Sequence, residues 1–260
     1  MRVLLTNDDG ITATGLNVMR RALLELPDVD LEVIAPGSNR SATGRAVTLR
    51  DPIWVEEIEF GDGTTGFATD GTPVDCVRFA SLGLIDSPPE LIVSGINHGA
   101  NLGDDITYSG TVAAALEGIM LGIPALAVSL AGGRDFEPLA KFVARIVDEL
   151  DEVPMPEGTL LNVNGPAGDV RGACACRLGK RVYNDKMELT EEEAGGRRRY
   201  RLYGQEPGYE HEDGTDFAAI AEGLIAVTPL HFDLTDQAGV EELAGFDLDR
   251  LLRPATEAVE

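Results

Sequence analysis

The sequence predicts an α/β fold: a doubly wound, mostly parallel sheet with a smaller β-rich part after it. Three observations carry this. Short apolar runs alternate with amphipathic helical stretches over about the first 165 residues. The first helical stretch leads into the second strand through a very short connection, as in a βαβ unit. Beyond about residue 165 the texture changes to short alternating stretches with weak helix signals.

Arg2-Val-Leu-Leu-Thr6 is short, apolar and closed by Asn7-Asp-Asp-Gly10, which reads as a buried parallel strand and a tight loop. From about Thr14 to Leu26, Leu16, Met19, Leu23 and Leu26 share one helical face, and Pro27-Asp28 ends the helix. Leu31 to Ala35 is a second strand, closed by Pro36-Gly37. Residues Pro73 to Leu84 are expected as helix, Leu91 to Ser94 as strand, and Thr111 to Leu121 as a small-residue helix. Pro124 to Ser129 follows as strand, Phe136 to Leu150 as amphipathic helix and Thr159 to Val163 as strand. Residues 172–204 read as antiparallel strands or a protruding hairpin, apart from a helix signal at Glu191 to Glu193. Asp216 to Gly223 returns to helix and Leu224 to Thr228 to strand, and Val240 to Leu252 suggests a last helix. The expected division is a catalytic core over 1–165 and, within the same overall domain, a C-terminal part over 166–260.

The hydrophobic fraction, 43%, fits a globular chain. No apolar run approaches the ~20 residues of a membrane span, and no leader precedes the first strand, so a cytoplasmic location is expected. Cys76, Cys174 and Cys176 are too few and too oddly numbered for a disulfide framework. The last two are expected on opposite edges of a strand. A net charge of −24, from 45 acidic and 21 basic residues, argues against nucleic-acid backbones as partners. Only Lys141, Lys180 and Lys186 are lysine, and an acidic, lysine-poor surface suits a halophilic source, where salt screens self-repulsion. The run Arg197 to Arg201 reads as a hairpin strand whose arginines pair with acidic neighbours or a partner subunit.

Ligands of open α/β sheets bind beyond the carboxyl ends of the strands. Three polar loops stand there. In Asn7-Asp8-Asp9-Gly10, adjacent carboxylates repel each other unless a cation is present, and oxygen donors suit magnesium or manganese. A turn whose Asp8 or Asp9 caps the next helix explains the same residues equally well. Pro36 to Gly44 carries Ser38, Asn39, Arg40, Ser41 and Thr43, suited to metal or phosphate contact or simply to solvent. Ser94 to Thr111 is rich in glycine and asparagine, and Ser109-Gly110-Thr111 at a helix start is a natural phosphate seat. Asp104 and Asp105 read as loop structure or outer contacts. His98 reads as a solvent-facing residue or a general acid.

Asn7-Asp-Asp-Gly10, Asn39-Arg-Ser41, Gly71-Thr-Pro-Val-Asp75, Ser94-Gly-Ile-Asn97, Gly103-Asp-Asp105 and Tyr108-Ser-Gly-Thr-Val-Ala-Ala114 occur in one order. Together they closely resemble the SurE family, the survival protein E nucleotidases, strongly from Met1 to about Ser129. The match is weaker at Thr215-Asp216 and Val227-Thr-Pro229. The chain departs from many members in carrying Gly37 after the proline. The resemblance implies a Rossmann-like domain and a C-terminal part that mediates homodimers or homotetramers. It implies hydrolysis of nucleoside 5′- and 3′-monophosphates, and of short polyphosphate in some members. Carried over by position, Asp8, Asp9, Ser41 and Asn97 would hold one divalent ion per subunit, magnesium, manganese or similar. Asn101, Ser109, Gly110 and Thr111 would bind the phosphate, and Asp8, Asp9 and Asn97 would serve catalysis. A small nucleotide is the expected partner, with no nucleic acid and no membrane. A dinucleotide oxidoreductase lacks its Gly-x-Gly-x-x-Gly turn here. A phosphate or nucleotide sensor built on the same pocket is the non-enzymatic alternative.

Overall fold

In the computed structural model, which describes residues 1–193, 195–204 and 208–252, the core is a three-layer sandwich. The rest of the expected C-terminal part, residues 194, 205–207 and 253–260, lies outside the described residues. The elements are β1 (Arg2–Thr6), α1 (Thr14–Leu24), β2 (Asp30–Pro36), β3 (Val55–Glu59), β4 (Thr65–Thr69), α2 (Pro73–Leu82) and β5 (Leu91–His98). They continue with α3 (Gly110–Met120), β6 (Ala125–Ala131), α4 (Glu137–Asp148), β7 (Thr159–Pro166), β8 (Gly172–Ala175) and β9 (Arg181–Val182). After them come β10 (Asp185–Glu192), β11 (Arg198–Gly204), β12 (Gly208–Tyr209), α5 (Asp216–Ala221), β13 (Leu224–His231) and α6 (Gln237–Ala244). Two 3₁₀ turns cover Gly103–Tyr108 and Leu248–Leu252.

Nine strands form one sheet in the order β3-β4-β2-β1-β5-β6-β7-β13-β8. From β4 to β7 all neighbours are parallel. The chain leaves β1 for β2 on one side and returns as β5 on the other, so a topological switch point lies between β1 and β5. Both faces are covered, which explains the unbroken apolar strands. Val3 and Leu5 point to the cluster with Leu16, Met19, Leu23, Leu139 and Val143 of α1 and α4. Leu4 points to the opposite cluster with Cys76, Val77, Ala114 and Ala115 of α2 and α3. Helix α2 begins with a capping box between Thr72 and Asp75, carries Pro73 at its first turn and ends on Gly83.

Sequence reasoning overlooked the β3–β4 hairpin. Val55-Glu-Glu-Ile-Glu59 is an edge strand with three exposed acids, Glu56, Glu57 and Glu59, and Thr65-Gly-Phe-Ala-Thr69 contains no long apolar run. Arg20, buried in α1, holds the hairpin by hydrogen bonds to Asp62 and Thr64, both 2.6 Å, and by a stack over Phe60. The expected tail helix over 240–252 is instead α6 followed by the 3₁₀ turn, with Gly245 between them. The helix signal at Glu191 to Glu193 gives way to strand β10, where Glu191 and Glu192 pair with Arg199 and Arg198. The two close cysteines are also a correction. Residues two apart share a strand face, and Cys174 and Cys176 are both half-buried while Ala175 between them is exposed.

From the C-terminal part, β13 and β8 extend the main sheet in the opposite direction to β7. Among the described residues, strands β10 and β11 pair only with each other, as a hairpin. No helix among the described residues is long and apolar enough to cross a membrane.

Candidate active site

The loops that follow β1, β2 and β5 meet at the switch point. Asn7, fully buried, fixes the first: its Oδ1 accepts from Gly10 N (3.2 Å) and its Nδ2 donates to Gly10 O (2.9 Å). Gly10 takes φ +106°, which favours glycine. This small turn aims two carboxylates differently. Asp8 is buried and accepts a 2.5 Å hydrogen bond from Thr111 Oγ1. Burial pushes the Asp8 carboxyl above its ordinary range; Thr111 opposes the shift and the neighbouring Asp9 adds to it. Asp9 accepts from the His98 backbone N–H (2.9 Å) and from Asn39 Nδ2 (3.3 Å).

The second loop is clamped at both ends. Arg40 N donates to Asp8 O (2.7 Å), and Gly44 N donates to Tyr108 O (3.1 Å). Asn39 turns back to accept from Ser41 N (2.8 Å). Ser41 is thus held in a segment that bridges the aspartate turn and the residue preceding the expected phosphate seat.

The third segment is ordered further than its sequence suggests. Strand β5 runs on to His98, and Gly95–Ile96 is a cis peptide. Glycine is required on both sides of it: a Cβ on Gly95 would lie 2.2 Å from Val128 O, and one on Gly15 would lie 2.0 Å from Ile96 O. Asn97, half-buried, donates its Nδ2 to Gly99 O (2.8 Å), which leaves Oδ1 as an oxygen donor. Asn101 is buried in a polar network. Its Nδ2 donates to Ser129 Oγ (2.7 Å), its N to Asn164 Oδ1 (2.9 Å), and its carbonyl accepts from Asn162 and Asn164.

Helix α3 starts at the end of this segment. Ser109 is its N-cap, accepting from Val112 N (3.1 Å). The N–H groups of Gly110 and Thr111 precede the first turn's bond from Ala113 N to Ser109 O. Gly110 packs so closely that a Cβ would stand 2.8 Å from Asp8 Cβ and 2.9 Å from Asp8 Oδ2.

Contacts therefore bring Asp8 to Gly110 and Thr111, and Asp9 to the Asn39–Ser41 turn and the backbone beside Asn97. The second acidic pair faces elsewhere. Asp104 accepts from Arg181 N (3.0 Å), and Asp105 takes the Arg181 guanidinium and the Tyr183 hydroxyl (2.5 Å). Sequence reasoning missed Asp216 as a support of the site. Fully buried, it accepts from Gly103 N (2.7 Å), Gly179 N (2.8 Å) and Phe217 N (2.9 Å). It also missed Asn162 and Asn164, whose signal was polar alternation at the end of a buried strand. The His98 ring is tied down by its Nε2, which donates to Gly133 O (3.0 Å).

A cleft of about 660 Å³ runs beside α3 past Ala113 and Leu116 to Phe232 and Leu234, and meets the site residues at Ser109. A smaller one, about 390 Å³, has Asp9 in its wall.

A model described as survival protein SurE matches residues 3–185. The chain belongs to the SurE family. A protein named 5′-nucleotidase SurE from Rubrobacter xylanophilus is 48% identical, covering 97% of this chain and 99% of the relative. Another of that name, from Syntrophotalea carbinolica, is 44% identical over 95% of this chain and 98% of its own length. The crystal structure of the SurE protein from Aquifex aeolicus aligns with a TM-score of 0.78 and 37% identity, covering 94% of this chain and 100% of that one. The SurE motifs of this chain fall in the three loops just described and in the capping box of α2.

Proposed function

We propose that this SurE chain is a divalent-metal phosphomonoesterase that hydrolyses nucleoside 5′- and 3′-monophosphates to nucleoside and phosphate, with short polyphosphate as a further substrate. The observation that carries the reading is the contact of the buried Asp8 carboxylate with the first turn of α3, at Gly110 and Thr111. A helix N-terminus attracts a phosphate, and a carboxylate placed against it makes sense when a cation joins the two.

The donors fit a hard cation. Asp8 and Asp9 offer carboxylate oxygens, Ser41 a hydroxyl and Asn97 an amide oxygen, and no sulfur or imidazole competes. The burial and like charge that push Asp8 up are relieved by a positive ion. One magnesium, manganese or similar ion per subunit, held by these four, would supply polarisation of a phosphoryl oxygen and neutralisation of developing charge. Ser109 Oγ and the Gly110 N–H hold the equatorial oxygens, while Thr111 turns its N–H and hydroxyl to the Asp8 carboxylate. Asn101 has one amide hydrogen engaged by Ser129 and a second left for a phosphate oxygen. Asp8 and Asp9, in the turn that Asn7 fixes, and Asn97, near the end of β5, align the reacting groups.

The subunit contact is assigned to the β10–β11 hairpin. Met187 faces Leu202 and Leu189 faces Tyr200, on one exposed apolar face. A homodimer or homotetramer would cover it.

The test is phosphate release from nucleoside monophosphates and short polyphosphate, with magnesium or manganese and after EDTA. Metal-dependent release, nearly abolished in Asp8→Asn, is expected. Nucleotide binding without any release would make the chain a sensor instead.

A further inference from the structure

A recess of about 390 Å³ opens beside Asp9, and apart from Asp9 its lining has no part in the phosphate chemistry above. It is lined by Asp9, Thr14, Gly15, His98, Arg134 and Phe136, and its volume falls in the ~300–1,000 Å³ range of small-molecule sites. Its surroundings are organised. The His98 imidazole stands edge-on to the buried Phe136 ring, with centroids 6.0 Å apart and planes at 62°. The bond from His98 Nε2 to Gly133 O ties that ring to the Gly132–Gly133 turn, which carries Arg134. Both glycines have positive φ, +108° and +76°.

Arg134 is exposed and, unlike Arg45, Arg78, Arg177 and Arg181, has no ion pair among the described residues, a condition it shares with Arg40, Arg50 and Arg171; none of those three lines this recess. An unpaired guanidinium, an imidazole and an aromatic edge form a lining for a flat π-system with hydrogen-bonding edges. A second anion suits the recess less well, because Asp9 stands in the same wall and repels it. The larger cleft is a poorer receiver. Its arginine, Arg45, is already paired with Glu117 and stacked over Phe232, and neither Asp8 nor Asp9 lines it.

We infer that this recess receives the nucleobase of the substrate, with the His98 ring stacking on it and Arg134 contacting its edge or face. This rests on the nucleotide-phosphatase reading and assigns Arg134 and His98 as specificity-determining residues. The phosphate then sits at Asp8 and the α3 N-terminus, and the nucleoside extends past Asp9.

The experiment compares adenosine 5′-monophosphate with ribose 5-phosphate, which lacks the base, in the parent chain, Arg134→Gln and His98→Ala. Both kcat/KM and equilibrium affinity are measured for each. The ratio of nucleotide to ribose 5-phosphate is expected to fall at least fivefold in each variant, through KM and affinity. A ratio within twofold of the parent's in both variants overturns the subsite, even if both esters are hydrolysed normally. A base-dependent affinity that Arg134→Gln removes, in a chain that hydrolyses neither ester, upholds the subsite and removes the phosphatase reading. Arg134 is exposed, so its variant tests the idea even if His98→Ala disturbs the Asp9 turn.

Discussion

Thr111 Oγ1 donates a 2.5 Å hydrogen bond to Asp8 Oδ1, joining the first turn of α3 to the end of β1 across 103 residues of sequence. Partners that orient a metal-binding carboxylate are commonly worth ~10- to 100-fold in metal affinity or activity. Thr111→Val should therefore weaken activation by manganese or magnesium by about that factor, and Thr111→Ser should restore it. Titration of phosphate release with metal reads this directly; an unchanged activation constant in Thr111→Val would refute it.

Gly110→Ala opposes two physical effects. Alanine favours helix by ~1 kcal/mol over glycine. Here its Cβ would stand 2.8 Å from Asp8 Cβ, so the aspartate turn or the helix start must move. Overpacking of this kind costs about 1–3 kcal/mol. We expect a lower Tm and a fall in kcat of at least ~100-fold, since small misplacements cost that much. A variant with parental kcat would show that Asp8 need not sit against the helix.

Asp75 gives a pH-dependent stability. Burial alone would raise its carboxyl, but hydrogen bonds from Thr72 and Thr48 outweigh burial and hold it below the ordinary 3.8. A depressed carboxylate stabilises the fold above its unfolded value and loses that contribution as pH falls through the folded one. Asp75→Asn should cost about 1–3 kcal/mol at pH 7, and the gap should narrow below the ordinary 3.8. Urea unfolding at pH 7 and in acid measures both; a gap that widens in acid would contradict the sign.

With a net charge of −24, the surface repels itself in dilute buffer. Stability should rise as salt increases from about 0.1 M toward molar concentration, where the Debye length shrinks from ~10 Å to ~3 Å. Thermal unfolding over that range decides it. Constant Tm would remove the case for a halophilic source.

The hairpin predicts assembly. Leu202 is 78% exposed and Met187, opposite it, 68%. Leu202→Asp should convert a dimer or tetramer to smaller species in sedimentation while leaving the α/β core's circular dichroism intact. Parental assembly in that variant would place the subunit contact elsewhere.

The buried parts of the fold were the legible ones. β1, β2, α1 and α3 announced themselves because both sheet faces are covered, so their apolar runs or stripes are complete. The β3–β4 hairpin was hidden because the edge strand β3 carries exposed acids at three of its five positions. In the site, Asp8, Asp9 and the Ser109–Thr111 turn stood out as polar groups at strand and helix ends. Asp216 did not, because its partners are backbone N–H groups of residues distant in sequence. Arg134 was obscure for another reason: it sits in no motif, and only the folded chain brings it to one recess with His98, which the sequence offered as a general acid or a solvent-facing residue.

Asp216 gives the site a history during synthesis. The Asp8–Asp9 turn, the Ser41 loop and the α3 start all lie within the first 111 residues, yet the Gly103 backbone beside them is clamped by a carboxylate 113 residues further on. A nascent chain that has formed β1 to β7 therefore holds every proposed metal and phosphate ligand without the clamp on Gly103. The last such constraint arrives with the segment that starts α5, so a chain interrupted before Asp216 should contain the ligands while remaining catalytically immature.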